Sequence, residues 1–300
     1  MIADVAVSIA LVSAFLALIY FLCGGKGSFR AAYAIVVRGF QTFLSYKMQI
    51  ITQIFNLLLM IALIYIVGSP LVSMLFPALS VVETDYNIVF YFLIATVALP
   101  MVWSGYNVAS QRIRQEQYTG TFEIMIASKN GVTILPFAYL ITGLIPTLLD
   151  SLVSLLMFSY FFPELNISLS LPSLMSFFAV VTVSILMMWG IGLFFGGLVT
   201  VYRQIGPIPQ MLRTIMIFFG GVYFPVDVLP EYIQPLSKIL PLTYVFDAVR
   251  HFLSGDATIT GMLPLVAVIC VFALICILGG IAIYRWIVKR ARLYGTVYGY

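Results

Sequence analysis

The chain has 300 residues, 62% of them hydrophobic and 9% charged, with a formal net charge of +4. A soluble domain carries about 25% charged residues, so a water-exposed globular fold is excluded, and a bilayer, crossed by about 20 apolar residues per helix, is the solvent that fits. The positive excess is spread over the ends of apolar runs rather than gathered in a patch, which argues against nucleic acid as a partner.

Taken in order, the first apolar run covers residues 5–22. Asp4 precedes it and no basic residue does. A secretory signal would want a positive start and a small-residue cleavage site, so the run is read as a retained span with its leading end outside. Gly24-Gly25-Lys26-Gly27-Ser28 superficially resembles a phosphate loop, but its spacing is wrong and it reads as a flexible joint. Residues 28–46 predict a helix lying along the membrane surface. Phe29, Tyr33, Val36, Val37, Phe40, Phe43 and Leu44 gather on one side of the wheel, and Arg30, Arg38, Gln41 and Ser45 on the other.

Apolar runs at 48–67, 88–108, 135–162, 173–201 and 262–287 predict further spans. A shorter one at 208–222, starting among Pro207 and Pro209, can cross only if its neighbours complete the distance. The total is one leading span plus six. Between them, the gaps alternate in charge. Lys26, Arg30, Arg38 and Lys47 fall in the first gap, Arg112, Arg114 and Lys129 in the third, and Arg203 and Arg213 about the fifth. The tail holds Arg285, Lys289, Arg290 and Arg292, whereas 68–87 and 161–172 carry only acids. Cytoplasmic loops attract Lys and Arg, which predicts an outer leading end and a cytoplasmic tail. Lys238 and Arg250 fall on the other side, among Asp227, Glu231, Asp247 and Asp256.

Two segments between spans stand out. In 110–131, Thr119 or Thr121 can cap a short helix whose apolar face is Phe122, Met125 and Ile126, with Asn130-Gly131 as its stop. An amphipathic helix of this kind on the inner side suits docking into a groove on another protein. The segment 225–254 holds Pro225, Pro230, Pro235 and Pro241 with Asp227, Glu231 and Asp247, and a stripe of Ile233, Leu236, Ile239 and Leu240. It is too broken to span and too apolar for a plain loop, and predicts a short helical hairpin dipping into the outer leaflet, where irregular backbone must be shielded by protein or face water.

Both segments carry a resemblance. Arg112, Arg114, Glu116, Gly120, Thr121 and Glu123 are similar to the cytoplasmic loop of the type-two permease family of ATP-binding-cassette exporters. Phe224-Pro225, Leu229-Pro230, Pro241-Leu242-Thr243-Tyr244, Asp247-Ala248 and Arg250 resemble that family's run before its last span. The similarity covers about 28–290, leaving 1–27 as an added span and joint and 291–300 as a cytoplasmic tail. It implies an all-α polytopic permease in the plasma membrane, built as a homodimer or a paired permease among membrane lipid. A separate ATP-binding cassette subunit would dock at Glu116, Gly120, Thr121, Phe122, Glu123, Met125 and Ile126. The helix bearing Arg30, Phe40 and Phe43 would be the elbow on which the spans pivot, and Pro225, Pro230, Pro241, Tyr244, Asp247 and Arg250 would build the outer hairpin.

Other residues leave alternatives. Asp150 is an acid inside a span, a functional candidate by default; it either pairs with a polar residue of another span or meets cargo, and an ion-coupled secondary transporter would run through it. Asp247, Arg250 and His251 resemble an acid–base cluster, so an intramembrane enzyme is a further alternative, although pairing of Asp247 with Arg250 at i, i+3 is the simpler reading. Gly192-x-x-x-Gly196 has close-packing spacing and is read as intrachain packing. One histidine and three scattered cysteines predict neither a metal centre nor a disulfide framework. No cofactor and no catalytic residue is expected; the predicted activity is export of an amphiphilic cargo (lipid, drug or glycan-type) driven by hydrolysis in the partner.

Overall fold

The computed structural model describes residues 2–23, 29–45, 47–67, 88–118, 134–163, 167–201, 208–255 and 257–294. Within them the chain is all-α: α1 (Ile2–Cys23), α2 (Phe29–Ser45), α3 (Lys47–Val67), α4 (Ile88–Tyr118), α5 (Ile134–Phe161), α6 (Leu171–Val201), α7 (Ile208–Phe219), a 3-10 turn at Val226–Val228, α8 (Gln234–Ile239), α9 (Pro241–Ser254) and α10 (Leu263–Tyr294). Five are long and apolar enough to cross a membrane, at Ala3–Leu22, Phe90–Arg112, Pro136–Phe161, Leu171–Leu198 and Leu263–Arg290. Two helices carry shorter apolar stretches, Ile54–Leu63 in α3 and Ile208–Phe219 in α7. The molecule is therefore a polytopic membrane protein.

The core is organised around α6. It packs against α4 and α10 along most of its length, and against α1 and α9. Every residue from Val181 to Gly190 is buried. Lipid tails give apolar helices no reason to seek each other, so close backbone approach and dispersion must do it. Glycines supply that approach. A Cβ on Gly105 of α4 would overlap the Ile185 carbonyl of α6, and one on Gly192 would press on Tyr106 and Ala109 of α4. On the other side, Gly190 of α6 and Gly280 of α10 face each other, each with the other helix's backbone where a side chain would stand. Gly192, the first residue of the G-x-x-x-G, thus packs within the chain.

Most hydroxyls inside the spans find local acceptors, as a medium without water demands, the buried Ser151 hydroxyl of α5 being an exception. Ser8, Thr96, Ser110, Thr142, Ser154, Thr182 and Ser184 each donate to the carbonyl four residues back. Pro100 in α4 and Pro146 in α5 remove donors for the carbonyls of Thr96 and Thr142. Helix α2 lies along α5, and Gly39 meets Thr142, on the turn that Pro146 weakens. The contact uses Ile35 and Gly39, a flank between the two faces seen in the sequence. Tyr33 and Arg38 remain exposed on either side of it.

The predicted leading helix is an integral part of this bundle. Asp4, Ser8, Phe15 and Ile19 form its buried seam. One end is tied by Thr260, which donates to Asp4 Oδ1 at 2.5 Å. At the other end Arg285 of α10 donates to the Leu22 carbonyl.

Candidate functional site

Polar contacts collect at the two ends of the bundle, and the chain alternates between them. At one end the Ser168 amide donates to the Leu253 carbonyl (2.7 Å), the Ile259 amide to Ser176 Oγ (3.3 Å), and Thr260 reaches Asp4. At the other end Arg112 lies over the Tyr139 ring (5.9 Å) and Arg290 over Trp286 (4.7 Å). Trp189 Nε1 there donates to the Pro136 carbonyl at 3.1 Å. Guanidinium–aromatic pairs of this kind suit the boundary between lipid and water, where a ring is half in each.

Of the predicted inner docking residues, Glu116 lies in the last turn of α4, which runs ten residues past the apolar stretch read as a span and carries Ser110–Tyr118 as helix. Gly120, Thr121, Phe122, Glu123, Met125 and Ile126 lie outside the described residues. Arg30, Phe40 and Phe43 are all within α2.

At the opposite end the segment 220–255 forms two helices behind a turn. Gly220 closes α7 through its amide to the Met216 carbonyl (3.0 Å), and Gly221 follows at φ +64°, a conformation that side chains resist. Pro225 is extended and sets up the Val226–Val228 turn. The Pro230 carbonyl accepts the Ile233 amide (2.8 Å). Pro241 occupies the first turn of α9, where its missing N–H leaves nothing unsatisfied. Two side chains fasten the corner between α8 and α9: Thr243 Oγ1 donates to the Ser237 carbonyl (2.7 Å) and the Tyr244 hydroxyl to the Lys238 carbonyl (2.8 Å). Leu242, Val245, Phe246, Ala248, Val249, Phe252 and Leu253 are fully buried against α6, α10 and α4. Of the hydrophobic stripe read on the first helix, Leu236 and Ile239 point away from the protein.

The Asp247–Arg250 pair expected from sequence does not form. Asp247 Oδ1 instead lies 3.9 Å from His251 Nε2, one turn on, with both side chains about half exposed. Arg250 turns inward. Its Nη2 donates to the carbonyls of Gly221 and Val222 (3.1 Å to the latter), and its guanidinium stands 3.9 Å from the centre of the Tyr91 ring at the start of α4. Burial leaves Nε without a hydrogen-bond partner and pulls the Arg250 pKa down to about 10, while Tyr91 and the Asp247 charge act to raise it. The physical reason for the swap is that two carbonyls and a ring are fixed by the fold, whereas Asp247 is solvated. Tyr91, Gly221 and Val222 escaped the sequence reading; the Gly-Gly pair after a short helix was the one available signal.

Asp150 sits mid-way along α5, partly buried. Among the described residues no hydrogen bond or ion pair takes its carboxylate, and its backbone carbonyl accepts Ser154 Oγ at 2.8 Å. The Thr243 and Tyr244 hydroxyls, the nearest candidates in the sequence, are engaged by the Ser237 and Lys238 carbonyls.

A family model described as ABC-2 type transporter matches residues 30–253, so the match spans α2 to α9 and leaves α1 and α10 outside it. No curated protein matches the chain.

Proposed function

The chain belongs to the ABC-2 type transporter family and is a membrane permease component of an ATP-binding-cassette transporter; from that premise we propose that it works as an exporter driven by ATP hydrolysis in a separate cassette subunit. The carrying observation is the family match over 30–253. It is supported by the gathering of Arg112, Arg285 and Arg290 at the end of the bundle opposite the hairpin. The arginine end is read as cytoplasmic, because positive side chains resist translocation. There the segment 115–130 docks the cassette through Phe122, Met125 and Ile126, and α2 is the elbow that transmits its motion. Two permease copies, identical or paired, face each other in the plasma membrane. The outward-facing apolar stripe of α7 (Ile208, Met211, Ile215 and Phe218) suits a partner helix or an amphiphilic cargo. Hydrolysis then shifts the balance between inward-open and closed states.

The test is co-purification with the chain's genomic neighbour that carries a phosphate loop. Phe122→Glu and Met125→Glu together are expected to lower transport-coupled ATPase activity at least tenfold with the membrane assembly intact. Retained coupling in that variant counts against the docking role. The Asp150 carboxylate, which has no hydrogen-bond or ion-pair partner among the described residues, favours one second reading, ion-coupled transport. Loss of transport in Asp150→Asn, with indifference to ATP depletion in the parent, would establish it in place of the first.

A further inference from the structure

Helix α7 is the most thinly held helix of the hairpin end. Among the described residues its contacts with other elements are few and fall mainly on α8 and α9. Ile208, Met211, Ile215 and Phe218 face outward, and only Met216 is fully buried. Two arginines nevertheless tie it to its neighbours, one from mid-helix and one just past its C-terminal end. Its own Arg213 lies over the ring of Trp103 on α4 (5.3 Å). Beyond its last turn, the carbonyls of Gly221 and Val222 receive Arg250 from α9.

We propose that Arg250 is a positioning residue that pins the C-terminal end of α7 to α9 and α4, so that α7 can swing about this point while the rest of the hairpin stays packed. Four observations converge on it. The C-terminal end of α7 carries partial negative charge, and a cation on the two carbonyls just beyond its last turn is favoured there. Gly221 at φ +64° turns the chain out of the helix just where the two carbonyls are presented to one guanidinium. Tyr91 holds the guanidinium plane from the far side, a geometry that arginine's flat fork matches and lysine's ammonium does not. Finally, α9 itself is locked by its fully buried face, so the pin joins a loosely held element to a firmly held one.

This inference rests on the transporter reading only for its consequence, namely that α7 moves during the cycle; the contact can be tested without nucleotide or partner. Spin labels are placed at Thr214→Cys on α7 and Ile275→Cys on α10, both exposed, in a background with Cys23, Cys270 and Cys276 replaced by alanine. A control pair joins Leu171→Cys on α6 to Ile275→Cys. Pulsed electron resonance in nanodiscs, diluted with unlabelled chain, then measures both distances.

Arg250→Gln is expected to broaden the α7–α10 distance distribution at least twofold and to leave the control pair unchanged. Arg250→Lys should restore part of the narrowing. Tyr91→Leu should broaden the same pair, and Tyr91→Phe, which keeps the ring, should not; these two variants carry the test if Arg250→Gln does not fold. An unchanged α7 distance in Arg250→Gln or in Tyr91→Leu overturns the pin, and so does equal broadening of both pairs, which reports general loosening. A pin that holds in an assembly without ATP-dependent transport would instead count against the exporter reading.

Discussion

Single side chains in this protein matter mostly where they bond a backbone carbonyl. Trp189 is fully buried and its Nε1–H takes the Pro136 carbonyl. Trp189→Phe keeps most of the apolar volume and removes that bond, while the Pro136 carbonyl, in the first turn of α5, keeps its helical donor. The cost expected for one lost hydrogen bond is about 0.5–1.5 kcal/mol, visible as a lowered unfolding midpoint in nanodiscs; an unchanged midpoint would mean the bond contributes nothing to stability. Tyr244→Phe removes a bond to an accessible carbonyl at the corner between α8 and α9 and should cost less, about 0.5–1 kcal/mol. The Asp247–His251 pair is half exposed, so solvent and salt screen it, and Asp247→Asn is expected to leave stability nearly unchanged. If Asp247→Asn or His251→Gln abolished an activity of the isolated chain, the enzymatic alternative would return.

Elements here are held by size as much as by polarity. The α6–α10 contact has Gly190 facing Gly280, with Cys276 and Ile277 backbone atoms in the place of a side chain. Gly190→Val should force the helices apart and destabilise by about 3 kcal/mol or more, since neither backbone can give way as a flexible side chain could. Gly279, one residue before Gly280, has open space at its Cβ position, so Gly279→Ala is the matched control and should be neutral. The leading helix α1 depends on polar ties at both ends. Asp4→Ala together with Thr260→Val should loosen its Asp4 end, read as faster protease cleavage near residue 4 in proteoliposomes. An unaltered digestion pattern would show that the buried seam of Phe15 and Ile19 holds α1 without them. Spacing alone could flag the G-x-x-x-G of α6, but not Gly105 or Gly280, whose importance lies in which helix stands opposite.

For the molecule as a whole, orientation is the proposal on which the others depend. Tyr232 is 82% exposed at the hairpin end. A thiol placed there should react with an impermeant reagent outside sealed cells, and one at Phe122 only after the membrane is opened. The reverse result would turn the protein over and detach the docking segment from its motor. Both ends of the bundle are tied across long sequence separations, Asp4 to Thr260 and Arg285 to Leu22. The long apolar helices and the α9 corner therefore form one block, against which α3 and α7 are the less firmly held parts.

The amino-acid pattern by itself determined the solvent, the helical class, the approximate position of each apolar run and the family. These depend on composition, on periodicity and on short motifs such as Pro241-Leu242-Thr243-Tyr244, all of which are local properties of the chain. The place of Arg250 was not local. Its position three residues after Asp247 suggested a salt bridge, and only the folded arrangement brings Gly221, Val222 and Tyr91 within reach of a guanidinium 28 to 159 residues away in sequence. The same holds for α6 as the central helix and for the contact of α2 on Thr142. Two helices with equal apolarity look alike in sequence, and which one is enclosed depends on how closely the neighbours' backbones can approach.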